Sequence, residues 1–240
     1  MELFKIINKK IKKFGFRLNY NQQKRNAIEV KYYSTFFIEN ENWNKPNPNE
    51  EEILRWNIIE KFIHNIIDKN KNEKLVILDL GCGRGWLSNL LSGYGEVKGV
   101  EPIKPVVEYA KQLFSNLDIS CGTSKTLLKQ GFKEKFDLVV ASEVIEHIKD
   151  NFKKEFVQDI RALLKPGGYT IITTPRKESE TEWKKHINPN QPIENWITES
   201  ILEDLFVKEG FTKRKFDRFS IPPLIGVPAI EIYQLWLFQK

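Results

Sequence analysis

The fold is decided by the stretch Val76-Ile77-Leu78-Asp79-Leu80-Gly81-Cys82-Gly83-Arg84-Gly85. Its apolar first half is typical of a parallel strand that is covered on both faces of a sheet. The three glycines allow the backbone to turn tightly beneath a ligand. We expect the next helix to begin near Trp86. The stretch therefore predicts a buried strand, a ligand-binding turn and a helix.

The spacing of the glycines narrows the class of ligand. A dinucleotide-binding turn has the pattern G-x-G-x-x-G and needs no acid before it. Here the pattern is G-x-G-x-G, and Asp79 stands two residues before the first glycine. The chain also lacks the G-x-x-x-x-G-K-[ST] pattern of a P-loop. These differences argue against NAD, FAD and a P-loop nucleotide.

A second acid follows at the distance expected for nucleoside binding. The segment from Glu96 to Glu101 is typical of a short strand ending in a carboxylate, and Glu101 lies 22 positions after Asp79. A carboxylate about 20 residues beyond such a turn can receive the ribose hydroxyls. The pair of acids therefore indicates a purine nucleoside.

The alternation of strands and helices continues along the chain. A helix is predicted from about Pro105 to Phe114, and a strand at Leu117 to Cys121. A further strand at Phe136 to Ala141 is followed by Ser142-Glu143-Val144-Ile145-Glu146-His147-Ile148. The last segment runs from Leu163 to Pro175 and contains the turn Pro166-Gly167-Gly168. From Lys74 to Pro175 this order resembles the class I S-adenosylmethionine-dependent methyltransferases. Within them it is similar to the small-molecule branch of ubiquinone-biosynthesis and sugar O-methyltransferases, and a weaker similarity extends from Trp196 to Phe211.

The resemblance implies a fold and a cofactor. The fold is α/β and Rossmann-like: a mostly parallel seven-stranded sheet with helices on both faces and an antiparallel last strand. The cofactor is S-adenosyl-L-methionine, and S-adenosyl-L-homocysteine is its product. The implied cofactor-binding residues are Asp79, Gly81, Cys82, Gly83, Glu101, Pro102, Gly122, Thr123, Ser142, Glu143 and Val144.

Within that set the resemblance implies different roles. Asp79 and the glycine backbone would surround the methionine moiety, and Glu101 would bind the ribose. Thr123 stands where the family often has an acid for the adenine amino group. Ser142, Glu143 and Val144 would lie beside the sulfonium and the acceptor. The alternative is that these acids and Ser142 only cap helices.

Composition and charge limit the organisation of the chain. Its 240 residues fit one α/β domain over residues 50–240, preceded by a basic arm and an aromatic-rich cap over residues 1–49. Two cysteines and no apolar run of about 20 residues are typical of a cytoplasmic protein without a membrane span. Residues 1–25 carry eight basic side chains and one acid, so the remaining chain is nearly neutral, which argues against nucleic acid as a partner. The amphipathic pattern of the arm favours either an anionic membrane surface or this protein's own domain.

Two variable segments are candidates for acceptor binding. Tyr32 to Trp43 is rich in aromatic residues, which are either substrate walls or core. Residues 175–198 form a long insertion with Trp183, His186 and Trp196. Aromatic faces, amides and a histidine could hold a small acceptor such as a sugar. A solvated surface loop is the alternative.

Methyl transfer from a sulfonium is an in-line displacement. Positioning of the reactants can contribute roughly 7–11 kcal/mol, more than a single base contributes. A hydroxyl acceptor still has to lose its proton, and the candidate catalytic residues are His186, His147 and Glu143, with Glu146 as a further base. His147, flanked by apolar residues, could instead be a packed core histidine.

Two absences favour oxygen as the acceptor atom. The chain has no [DN]-P-P-[YF] after the fourth strand and no Pro-Cys nucleophile. We expect no metal requirement. The sequence thus predicts O-methylation of a small polar acceptor such as a sugar or polysaccharide precursor. The alternatives are a lipid or quinone methyltransferase at the membrane surface, an RNA methyltransferase, and a cofactor-binding protein without catalysis; the oligomeric state stays open.

Overall fold

A computed structural model describes residues 27–70, 74–187, 190–221 and 228–240. The predicted basic arm, residues 1–25, lies outside the described residues. The described chain forms a seven-stranded sheet in the order β3-β2-β1-β4-β5-β7-β6. Neighbouring strands are parallel except at β7, which runs antiparallel to both β5 and β6. The predicted fold class is therefore confirmed, including the antiparallel last strand.

The strands and helices follow each other in near alternation. The strands are β1 (Leu75–Leu80), β2 (Gly95–Glu101), β3 (Asp118–Cys121), β4 (Phe136–Ser142), β5 (Leu164–Pro175), β6 (Thr212–Ile221) and β7 (Ile230–Gln239). The helices are α1 (Glu50–Asn70), α2 (Trp86–Leu91), α3 (Lys104–Leu113), α4 (Ser124–Lys129), α5 (Asp150–Leu163), α6 (Glu180–Trp183) and α7 (Glu199–Lys208). The helix after the glycine turn begins at Trp86, as predicted. After β4 the alternation of strands and helices predicts a helix at once, but the chain first forms a 3₁₀ turn, Ile145–His147, and α5 begins only at Asp150.

Alternate residues of the central strands point to opposite faces of the sheet, and each face has its own apolar core. On one face, fully buried Ile59 and Ile63 of α1 belong to the same cluster as Ile77 of β1. On the other face, Leu78 of β1 belongs to a cluster with Ile160 of α5. This double coverage explains why the central strands are nearly continuous apolar runs.

The position of the site follows from the strand order. β2 and β3 lie on one side of β1, whereas β4 and β5 lie on the other. At such a reversal the loops at the carboxyl ends of neighbouring strands separate and leave a crevice. The glycine turn follows β1 at this edge, and Glu101 and Ser142 end β2 and β4 there.

The cap consists of residues 27–49. It begins with helical residues 27–34, continues in the π-helical turn Thr35–Glu39 and ends in a loop. Asn49 and Glu52 then form a reciprocal capping box at the start of α1, because the side chain of each accepts the backbone N–H of the other at 2.9 Å. The cap lies directly before α1, and its rings reach the crevice.

None of the helices in the described ranges has the length and apolar content that crossing a bilayer requires.

Candidate active site

Two adjoining cavities open at the carboxyl edge of the sheet. Their volumes are about 400 Å³ and about 430 Å³. The side chains or backbone that line both of them are Tyr33, Phe37, Gly81, Glu143 and His147. These shared residues define the junction where a molecule in one cavity would meet a molecule in the other.

The first cavity is built from the ends of β2, β3 and β4. Glu101, Pro102, Gly122, Thr123 and Val144, all predicted to bind the cofactor, line it. The carboxylate of Glu101 accepts the backbone N–H of Gly83 at 3.2 Å and that of Ile103 at 2.9 Å. These two bonds hold the acid across the mouth of the glycine turn.

The glycine turn leaves no room for side chains at the junction. Gly81 has a φ of +83°, and a Cβ atom there would lie 2.5 Å from a methyl group of Val144. Gly83 has a φ of +50°, and a Cβ atom there would lie 3.0 Å from the ring of Phe37. Only glycine meets both the backbone and the packing requirement at these positions.

Asp79 and Glu101 are buried acids without a cation. Asp79 is 1% exposed and accepts a hydrogen bond from the hydroxyl of Ser88 at 2.6 Å. Burial raises the pKa of Asp79 and that of Glu101 to about 7. Within the described part of the chain neither acid has an ion-pair partner. A ligand with a positive charge and hydroxyl donors would compensate the charge of both acids and donate hydrogen bonds to them. S-adenosylmethionine carries both kinds of group.

The hydrogen bonds leave the capping alternative open for Asp79. The residue preceding α2 is Gly85 and the residue preceding α3 is Ile103, so neither acid is an N-cap residue. Asp79 nevertheless accepts the backbone N–H of Ser88, in the first turn of α2. Ser142 is not an N-cap residue either, and its hydroxyl lies 2.9 Å from that of Thr173.

Unlike the two acids, Thr123 is the N-cap residue of a helix, α4. Its hydroxyl accepts the backbone N–H of Thr126. Thr123 still lines the first cavity beside Gly122. The residue that replaces the family's usual acid is thus used to begin a helix at the cavity wall.

The second cavity combines the glycine turn with a wall of aromatic rings. Asp79, Cys82, Gly83 and Ser142, four more of the predicted cofactor residues, line one side. The aromatic wall consists of Tyr32, Tyr33, Phe36, Phe37, Trp43, Trp183, Trp196 and Tyr233. The cap and the insertion therefore both supply walls, and a methionine moiety and an acceptor could lie in the same cavity.

Glu143 lies at the junction in an unusual backbone conformation. Its φ is +56°, a value that non-glycine residues rarely adopt. Its carboxylate accepts the hydroxyl of Thr173 at 2.8 Å and lies 3.6 Å from Nε of Arg55. Burial outweighs these contacts and raises the pKa of Glu143 to about 8.

His147 is oriented by a main-chain carbonyl. Its Nδ1 lies 2.9 Å from the carbonyl oxygen of Ile193, which can only accept, so Nδ1 carries the proton of the neutral ring. Burial lowers the pKa of His147, which favours this neutral form. The lone pair is then on Nε2, which lies 3.6 Å from the carboxylate of Glu146. A neutral imidazole in this state can accept a proton at Nε2.

Glu146 lies beside His147, on the side of Nε2. Its carboxylate accepts the hydroxyl of Thr174 at 2.9 Å, and burial raises the pKa of Glu146 to about 7. An imidazolium formed at His147 would find this carboxylate already in place.

His186, the other predicted base, lies outside both cavities. It follows α6 on the surface, where its Nε2 is 3.3 Å from the carboxylate of Glu182. The insertion reaches the second cavity instead through Trp183, Gln191 and Trp196. The structure thus brings His147 and Glu143 together and leaves His186 apart from them.

Sequence reasoning missed Arg55. It is 3% exposed on α1, lines the second cavity and holds its guanidinium 4.7 Å from the ring centre of Tyr233. Its Nε makes no hydrogen bond to the described residues. The sequence contained a signal, because Arg55 lies one turn before Ile59 and two before Phe62 on the apolar stripe of the helix. A charged residue on the buried, apolar face of a helix is costly to keep there and therefore often has a function.

Side-chain geometry gives no indication of a metal centre. Among the residues with described positions, no three His, Cys, Asp or Glu side chains are grouped to hold a metal ion. A reaction without a metal stays a prediction, which assays with and without a chelator would test.

A Rossmann-like sheet with one buried acid near the end of its first strand and another at the end of its second is typical of one class of protein, the class I S-adenosylmethionine-dependent methyltransferases. A family model described as "Methyltransferase domain" matches residues 52–215. The chain belongs to this methyltransferase domain family and is an S-adenosylmethionine-dependent enzyme. The predicted family, activity and cofactor are therefore confirmed.

Curated relatives and solved structures agree with this assignment. A ubiquinone biosynthesis O-methyltransferase of Cereibacter sphaeroides is 31% identical over 180 residues, which are 68% of this chain and 71% of the relative. One from Bradyrhizobium sp. is 27% identical over 74% of this chain and 78% of the relative. The 1,6-didemethyltoxoflavin-N1-methyltransferase of Burkholderia thailandensis has a TM-score of 0.61 at 16% identity, over 91% of this chain and 89% of that one. This last similarity shows the fold alone.

Proposed function

We propose that the enzyme methylates a hydroxyl group on a small cyclic acceptor, with His147 as the general base. The observation that carries the proposal is the hydrogen bond between Nδ1 of His147 and the carbonyl of Ile193, which leaves the lone pair of Nε2 at the junction of the two cavities.

The residues of the glycine turn fit the cofactor from two ends. Bound there, S-adenosylmethionine supplies a methyl group on a cationic sulfur. Glu101 would accept the ribose hydroxyls in the first cavity, and Asp79 would face the positive methionine end in the second. Arg55 in the second cavity is paired with Glu51 at 2.7 Å, but its Nε lacks a hydrogen bond and would donate one to the methionine carboxylate.

His147 and Glu146 would handle the proton of the acceptor. Nε2 of His147 takes the hydroxyl proton as the oxygen attacks, while the bond to Ile193 keeps the ring in place. The imidazolium that results is stabilised by the carboxylate of Glu146, 3.6 Å away. Thr174 keeps that carboxylate oriented toward the site.

The aromatic wall supports a flat or ring-shaped acceptor. Faces of tyrosine and tryptophan bind rings by stacking and exclude water from the transfer. Because the curated relatives are named as ubiquinone biosynthesis enzymes, a hydroxylated aromatic ring such as a quinone precursor is the acceptor we favour.

A sugar is a second candidate, favoured by one observation. Oε1 of Gln191 is buried in the second cavity and has no hydrogen-bond partner in the described chain. Such an oxygen needs a hydroxyl donor, and a polyhydroxylated ring offers several. A cytoplasmic location and contact of residues 1–25 with a membrane stay predictions.

A paired acceptor panel tests the proposal. Purified enzyme is incubated with methyl-labelled S-adenosylmethionine and either catechols and hydroquinones or monosaccharides and sugar nucleotides. Label recovered as an O-methyl ether of an aromatic ring supports the first acceptor, and label on a sugar supports the second. Transfer to nitrogen or to RNA, with neither panel labelled, would refute the proposal.

A further inference from the structure

Arg84 is a fully buried arginine inside the cofactor-binding turn, yet it lines neither cavity. It stands between Gly83 and Gly85, and its side chain points away from the crevice toward the base of the cap. A buried guanidinium that takes no part in ligand binding requires another explanation.

The contacts of Arg84 join three separate segments. Both terminal nitrogens donate to the carboxylate of Glu52, at 2.6 Å and 2.7 Å. Nε donates to the carbonyl of Lys45 at 2.6 Å, and a terminal nitrogen also reaches the carbonyl of Asn47 at 3.3 Å. One side chain of the glycine turn thus binds the cap loop and the first turn of α1 together.

The cap is the part of the molecule that these bonds would hold in place. Its Phe37 covers Gly83, and its Tyr33 packs edge-on against His147 with ring centres 5.7 Å apart. Both rings line both cavities. A shift of the cap would therefore open the cofactor cavity and remove a neighbour of His147 at the same time.

We propose that Arg84 is a positioning residue that fixes the cap to the cofactor-binding turn, so that the two cavities are closed by one rigid unit. Tyr109 contributes a second tie, because its hydroxyl donates to the carbonyl of Asn44 at 2.5 Å. This inference rests on the proposed assignment of the second cavity to the acceptor. Retention of the cofactor and the position of the acceptor wall would then depend on the same ion pair, Arg84–Glu52.

The test uses the double variant R84M/E52Q. Removing Arg84 alone would strand a buried carboxylate and could unfold the protein. In the double variant no charge is stranded, and the amide that E52Q introduces can still complete the capping box with Asn49. The matched control is K98M/D118N, which removes an ion pair of 2.8 Å between β2 and β3. R84K is the conservative variant, since lysine can keep one bond to Glu52.

Hydrogen exchange and dissociation of S-adenosylhomocysteine are the measurements. In R84M/E52Q we expect peptides from residues 27–47 to exchange on the order of tenfold faster, and the bound nucleoside to dissociate faster by a similar factor. Peptides from β4 and β5 should exchange as in the wild type. R84K should lie between the two, and the control should match the wild type.

Two outcomes would overturn the inference. In one, hydrogen exchange in the cap and the dissociation rate of S-adenosylhomocysteine are unchanged in R84M/E52Q, which would mean that the ion pair does not position the cap. In the other, exchange accelerates equally across the whole sheet, which would make Arg84 a residue of general stability. No acceptor is present in these measurements, so either failure leaves the proposed reaction untouched.

Discussion

The two cavities are built in different ways. The first is formed largely by the turns at the ends of β2, β3 and β4, with further walls from the cap and α5, and its acid Glu101 is held by two main-chain N–H groups. The second shares the glycine turn, but its other walls are side chains of the cap, of α1, of the insertion and of β7, segments that are far apart in sequence. A site built on main chain keeps a local sequence pattern, whereas a site built from distant side chains can change its ligand without changing the fold.

The largest expected effect concerns His147, which lines both cavities. We expect His147→Ala to lower the methyl-transfer rate by about 10²- to 10⁴-fold, because the acceptor hydroxyl loses its base. Binding of S-adenosylhomocysteine, measured by calorimetry, should stay close to that of the wild type.

His186→Ala is the matched control for this substitution. His186 lies outside both cavities, so we expect both turnover and binding to be unchanged. Loss of turnover in His186→Ala with full activity in His147→Ala would show that the insertion supplies the base.

The next effect tests the cavity formed by main chain. In Glu101→Gln the isosteric amide can accept only one of the two N–H groups with its oxygen and offers no charge to the cofactor. We expect the affinity for S-adenosylhomocysteine to fall about 10- to 100-fold by calorimetry. Glu96→Gln, on the exposed part of the same strand, is the control and should bind normally. Equal affinities in the two variants would remove Glu101 from the site.

The sequence predicted those site residues whose positions are fixed by the strand or turn that carries them. Asp79, the glycines and Glu101 lie in or directly after the strands that carry them, so their meeting at one edge could be predicted from strand order. Arg55 could not be placed in this way, because only the packing of α1 against the sheet brings it next to Glu143, after β4, and Tyr233, on β7.

The two histidines show the same limit. The sequence favoured His186 over His147, because His147 is flanked by apolar residues and could be a packed core histidine. Their difference arises from tertiary structure: the loop at Ile193 brings its carbonyl to Nδ1 of His147, whereas His186 follows a short surface helix. No local pattern records where that loop returns.

A smaller effect concerns pH. The pKa values of Asp79 and Glu101 are raised to about 7 in the free protein, well above their ordinary values, so both acids take up protons as the pH falls below 7. A bound cation favours the ionised acids, so binding must expel those protons. We expect the affinity for S-adenosylmethionine to level off above about pH 8 and to fall by up to about a hundredfold per pH unit well below 7, because two protons are released on binding.

Calorimetry between pH 5.5 and 8.5 measures this dependence, and Glu101→Gln should weaken it. The same shifts make the free protein lose stability as the pH rises from about 4 to 7, because the folded state holds the protons that the unfolded state has already released. An affinity that rises as the pH falls would show that the acids do not face the cofactor.

The smallest effect tests how far the acceptor cavity depends on its supporting hydroxyls. Thr173 is fully buried and its hydroxyl joins Ser142 to Glu143, at 2.9 Å and 2.8 Å. Thr173→Val keeps the shape but leaves both partners with one bond fewer, at a cost of about 1 kcal/mol. Glu143 should then turn within the cavity, so we expect the KM for the acceptor to rise two- to tenfold with little change in cofactor affinity.

Thr170→Val is the control for that substitution. Thr170 is equally buried on the same strand, but its hydroxyl has no hydrogen-bond partner within the described residues, so its loss should leave KM unchanged. If Thr173→Val instead weakened binding of S-adenosylhomocysteine and left the acceptor KM unchanged, Glu143 would belong to the cofactor alone. The boundary between the two cavities would then lie beyond Glu143, nearer to Arg55.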